Sequence, residues 1–231
     1  MSPKYSYIFV ALLLTTQSAG FADAMGEAQK VINISPGSYE SARHRALTNS
    51  SVIPDVLKDF QPGYDLHIAY TEAHLSVDLG NILPVDAVSS RPVIEFFPPS
   101  TSFNPSSGQK LRHEKYTLVL TDPDATSRDD PKWSEMCHWI VTNITMAGID
   151  GAPSIGHELV EYLPPAPPPG TGKHRYVFVL LKSNKNHQLQ PPTMRKHWGY
   201  GTAWEGVQRW ANENSLSIVS ADFFYAENEG K

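Results

Sequence analysis

A single cysteine, Cys137, stands among 231 residues, so no intrachain disulfide can form. No stretch approaches the ~18 uninterrupted apolar residues that a membrane-spanning helix needs. Lys and Arg are scattered and the formal net charge is −5, so nothing here tracks a nucleic-acid backbone. Heptads are absent, and so are the repeats of roughly 20–50 residues that build solenoids. Gly-x-Ser-x-Gly, His-x-His and His-Glu-x-x-His are missing too, which argues against a hydrolase elbow and against a zinc enzyme. No cofactor motif survives inspection. Gly170-Thr171-Gly172-Lys173 resembles the tail of a phosphate-binding loop, but position 167 is proline and position 174 is histidine. The chain reads as a binding protein and not as an enzyme.

What is present is apolar material and turn chemistry. Hydrophobic residues make up 40% of the chain, enough for a real core without disulfides. Nineteen prolines, fifteen glycines and ten tyrosines favour strands and loops over a helical bundle. The N-terminus carries Lys4, the short apolar run Tyr7–Leu14, and Ala22-Asp23-Ala24 with small residues at the −3 and −1 positions. This pattern predicts a signal peptide over residues 1–24 and a secreted product. Three sequons, at Asn33, Asn49 and Asn143, fit that compartment as glycosylation sites. Residues 25–50 are polar and unpatterned and read as a flexible segment, followed by one domain over residues 51–228.

Within that domain, Ile53–Phe60 reads as a short helix or turn stopped by Pro62-Gly63. Asp65–Tyr70, His74–Asp78 and Val93–Phe97 alternate as strands do. Residues 98–113, rich in Pro, Ser, Asn and Gly, read as an exposed loop. Tyr116–Thr121, His138–Ile144 and Arg175–Leu181 are the clearest strands. Leu163–Gly170 is a stiff proline-rich rim, since proline restricts φ at each step. Trp204, Val207, Trp210 and Ala211 fall on one face of a helix over residues 203–214, and Ser217–Phe224 makes a last strand.

Three places carry candidate chemistry. Asp122-Pro123-Asp124 sits where a buried strand emerges into a turn, where a carboxylate also caps free backbone N–H groups. His138 opens a strand and is expected on one face with Ile140 and Thr142. His174 and Tyr176 share a face beyond the Gly170–Gly172 turn.

Taken together these residues resemble the phosphatidylethanolamine-binding protein family. The first motif is Leu118-Val119-Leu120-Thr121-Asp122-Pro123-Asp124-Ala125, continued by Ser127, Arg128, Asp130-Pro131 and His138. The second, Gly-x-His-Arg, appears as Gly172-Lys173-His174-Arg175. The similarity runs from about residue 52 to residue 226. It implies a mainly β fold, a large antiparallel sheet with a smaller sheet packed on it and few helices. It also implies a pocket for phosphate-like or acetate-like anions at Asp122, His138 and Tyr176. His174, Ala166 and Pro167 would line that pocket, with Trp133 and Met136 as its apolar lip. The expected partner is a phosphate-bearing small molecule or phospholipid head group.

Asp122 is too negative to meet an anion directly, so it is expected to orient His138 and favour its protonated form. Three departures from the family pattern bear on the site. Thr126 replaces a proline of the signature, which should loosen that turn. Cys137 stands where many relatives carry another histidine, and reads as a small strand residue. The chain runs only a few residues past Tyr225, which implies that the C-terminal helix covering the pocket in animal relatives is missing. Fungal members that inhibit a serine carboxypeptidase supply the competing expectation, a protease inhibitor.

Overall fold

The computed structural model describes residues 36–98, 114–146, 156–185 and 188–230. The signal-peptide region, Asn33 and the loop over residues 99–113 lie outside them. A compact unit spans Ser35–Lys231.

Among the described residues nine strands form two sheets. The larger has six strands in the order β3-β9-β8-β5-β6-β7, and the smaller three in the order β2-β1-β4. Three strands form the middle of the larger sheet: β5 (Tyr116–Asp122), β8 (His174–Ser183) and β9 (Leu216–Ala226). Their runs combine β-branched Val and aromatic Phe and Tyr with apolar Leu, and every residue of β5 is buried. Outside them lie β6 (Met136–Ile144), β7 (His157–Val160) and β3 (Asn81–Ile82). All pairings are antiparallel except β3 with β9. The smaller sheet joins β1 (Asp65–Tyr70), β2 (Leu75–Ser76) and β4 (Val93–Phe97).

Each face of the large sheet has its own core. Leu118, Leu120, Trp139, Tyr176, Phe178 and Phe224 pack with Leu66, Ile68 and Phe96 of the smaller sheet. On the other face Val119, Ile140, Val177, Val179 and Phe223 pack under helical residues. This is the expected mainly β arrangement of two packed sheets. β3 and β7, too short for a periodicity signal, were not foreseen.

Among the described residues the α-helices are α1 (Pro36–Asn49), α2 (Val52–Asp55) and α3 (Val207–Glu213). Trp210 of α3 meets Trp198 with ring centroids 5.6 Å apart. The helix expected over residues 203–214 is thus a shorter one, since Gly206 opens it. The larger correction concerns residues 25–50, expected to be flexible. From Pro36 this segment is helical, and its Leu47 and Arg43 are buried. The Arg43 guanidinium donates to the Ala221 and Leu66 carbonyls and lies 3.5 Å from Asp222 Oδ2. One buried cation docks the helix, and hydrophobic periodicity carries no signal for that.

Candidate functional site

Strand register builds the site. Thr121 of β5 pairs with Val177 of β8, which places Asp122 beside Tyr176. On the other side Leu120 faces Trp139 and Thr121 faces Cys137, so His138 is the extra residue of a β-bulge. A bulge re-aims a side chain, and here it turns His138 to the face that carries Tyr176. The two rings meet edge to face at 5.3 Å. The expectation that His138 shares a face with Ile140 is therefore corrected. Ile140 lies in the core of the opposite face, and only a skipped residue separates the two.

The result is a cavity of about 160 Å³. Asp122, His138, His174, Tyr176, Trp133, Met136, Ala166 and Pro167, all expected there, line it together. Thr126, expected to bear on the site, completes the wall with Ala125, Leu163, Pro164 and Pro168, which were not expected. The proline-rich rim is thus part of the pocket, and its stiffness holds one wall in place. At the lip, the Lys196 ammonium sits 3.6 Å from the centre of the Trp133 ring.

The partner of Asp122 differs from the expected one. Asp122 Oδ2 lies 2.9 Å from Nδ1 of His174, not against His138, and Oδ1 accepts from the Asp124 amide at 2.7 Å. His138 Nδ1 donates instead to the Leu163 carbonyl at 2.7 Å, and the Leu163 amide returns a bond to the His138 carbonyl. Burial lowers the pKa of His138, opposed by Asp122 and helped by Arg195 and His174. Its protonated form is disfavoured on balance: Asp122 acts in the expected direction, but burial outweighs it. The Tyr176 phenol accepts from the Ala166 amide, and burial raises its pKa far above the ordinary value.

Supporting residues fix this geometry from behind. Arg195 donates to the Cys137, His138 and Glu161 carbonyls at 3.2, 3.1 and 2.8 Å, tying the rim to β6. Asp124 is fully buried and takes three contacts from the Arg175 guanidinium, the shortest 2.7 Å. Asp124 is thus a structural carboxylate. Among the described residues no three His, Cys, Asp or Glu side chains converge to hold a metal ion.

Thr126 does not loosen its turn. Its hydroxyl donates to the Asp130 carbonyl at 3.1 Å, a bond that proline would lack. Burial pushes the Cys137 thiol up to about 12, which suits a packing residue. No sequence signal pointed to Arg195, because its bonds run to main-chain atoms far along the chain.

Comparison with known proteins places the chain in a family. A family model described as phosphatidylethanolamine-binding protein matches residues 58–225. Carboxypeptidase Y inhibitor of Saccharomyces cerevisiae is 35% identical, over 77% of this chain and 91% of its own length. CEN-like protein 1 of Nicotiana tabacum is 31% identical, over 79% and 92%. The crystal structure of carboxypeptidase Y inhibitor with its cognate proteinase superposes with a TM-score of 0.74. It is 34% identical, over 87% of this chain and all of that one.

Proposed function

The chain belongs to the phosphatidylethanolamine-binding protein family, and on that premise we propose that it is a non-catalytic binding protein for a small oxyanion. The ligand class is a phosphate-bearing head group or a carboxylate. One observation carries the reading: three strands and a proline-rich rim bring His138, Tyr176 and apolar walls around a single small cavity. Imidazole and phenol hydrogen-bond an oxyanion, while Pro167 and Ala166 admit it without a long side chain in the way. Calorimetric titration with phosphoethanolamine tests it. Heat that disappears in a folded His138→Ala variant supports the pocket; no heat in the wild type, or equal heat in both, rejects it.

A second reading has its own support. The likeness to carboxypeptidase Y inhibitor, in sequence and in fold, favours inhibition of a carboxypeptidase by this chain as well. A carboxypeptidase that keeps its full rate under excess protein would remove this reading. We also propose export through the secretory pathway, supported by Lys4, the apolar run Tyr7–Leu14 and the small residues Ala22 and Ala24. The sequons at Asn49 and Asn143 lie on exposed residues, as glycosylation requires. N-terminal sequencing of protein from culture medium should begin at Met25; recovery only from cells, with Met1 in place, would overturn it.

A further inference from the structure

The hydrogen-bond donors of the pocket can be counted, and the count restricts what enters. Leu163 offers a carbonyl, which only accepts, so Nδ1 of His138 carries the ring proton. In the neutral ring Nε2 is then a lone pair with no partner among the described residues. His174 is committed on both sides. The Thr171 hydroxyl donates to the Pro168 carbonyl at 2.7 Å, so its oxygen accepts the proton of His174 Nε2 at 2.9 Å. The contact between His174 Nδ1 and Asp122 therefore holds one proton, and the pair is neutral overall whichever group carries it. Asp122 Oδ1 is occupied by the Asp124 amide. What faces a ligand is the Tyr176 hydroxyl, whose oxygen already accepts from Ala166, and the bare Nε2 of His138.

We propose that an oxyanion enters this pocket together with one proton, held between Nε2 of His138 and a ligand oxygen. This rests on the anion reading above and narrows it. A lone pair on Nε2 repels an oxygen that brings no hydrogen. A phosphate monoester or a carboxylic acid shares its proton there, whereas a phosphodiester has none to share and must protonate a buried imidazole. His138 is thus the specificity determinant, and the pocket favours a free phosphorylated head group over the diester of an intact phospholipid. The groups facing His138 are Asp122 from β5, His174 and Tyr176 from β8, and Arg195 behind β6. None of them supplies a proton to Nε2. The proton comes from solvent, as the ligand dianion present above a pKa of about 6 binds as its monoanion.

The test is calorimetry with phosphoethanolamine and with glycerophosphoethanolamine, its soluble diester, in two buffers of different ionisation enthalpy. The wild type should take up about one proton per phosphoethanolamine at pH 8, and Kd should weaken about tenfold from pH 7 to pH 8. The diester should bind at least about tenfold more weakly at pH 7, the result of a polar atom left unpaired. His138→Gln, whose amide donates without titrating, should lose both the uptake and the pH slope. Phosphoethanolamine binding with no net proton uptake, or equal affinity for the diester, overturns this inference and leaves the anion pocket standing. Binding of neither ligand overturns both. If the Gln variant fails to fold or bind, the wild-type proton count still decides.

Discussion

Among single residues, adjacent positions serve unrelated ends. His174 faces the pocket, while Arg175, on the other face of β8, is fully buried against Asp124 and reaches Asp55 at 2.8 Å. Removing one partner strands the other as an uncompensated buried charge. Asp124→Ala should therefore cost about 3–5 kcal/mol in urea denaturation; a loss below ~1 kcal/mol would show that Asp55 alone satisfies Arg175. Glu135 makes a pH prediction. It is fully buried, and burial pushes its carboxyl up to about 8, although the Val207 amide and Thr121 hydroxyl work against the shift. The folded pKa lies above the unfolded value of 4.5, so the folded state favours the protonated acid. Its stabilising contribution is complete below pH 4.5 and is lost as pH rises towards 8. Glu135→Gln cannot ionise, so it should gain on the wild type between pH 5 and pH 8, by up to about 4 kcal/mol at ~1.4 kcal/mol per pKa unit. Parallel stability curves for the two proteins would refute this. Cys137, buried with a raised pKa, should ignore a thiol reagent in the native protein and react on unfolding.

Secondary-structure elements gain their roles from how they are tied. Helix α1 has few apolar residues, and what secures it is Arg43 under β9 and β1 with Leu47 in the core. Arg43→Ala would leave Asp222 buried without that cation. We expect a loss of about 3 kcal/mol, with faster hydrogen exchange over residues 40–50 than in β8. Uniform exchange across both would mean that α1 is held by Leu47 alone. The bulge in β6 is the element-scale device of the site, since without it His138 and Trp139 would point to opposite faces.

For the whole molecule, the compact unit begins at Ser35, upstream of the boundary at residue 51 expected from the sequence. A chain starting at Ser35 keeps the whole of that compact unit. One starting at Val52 loses α1 and should melt roughly 10 °C lower, as expected for a deficit of about 3–5 kcal/mol in a chain of this size. Equal melting of the two, followed by circular dichroism, would make α1 dispensable.

Local pattern alone determined a good deal. The strands around Asp65–Tyr70 and Val93–Phe97 were legible because alternation records which side chains are buried. The two motifs were legible because Asp122, His138, His174 and Tyr176 keep the order and spacing of a known family. Other features were decided only by tertiary structure. Asp122 bonds to His174 and not to His138, α1 is anchored by a cation, and Arg195 reaches three carbonyls distant in sequence. Each depends on how distant segments pack, and the aim of His138 on one skipped residue in β6, differences that move polar atoms by a few ångströms. A hydrogen bond is made or lost over a fraction of that distance, whereas hydrophobic pattern is averaged over whole segments.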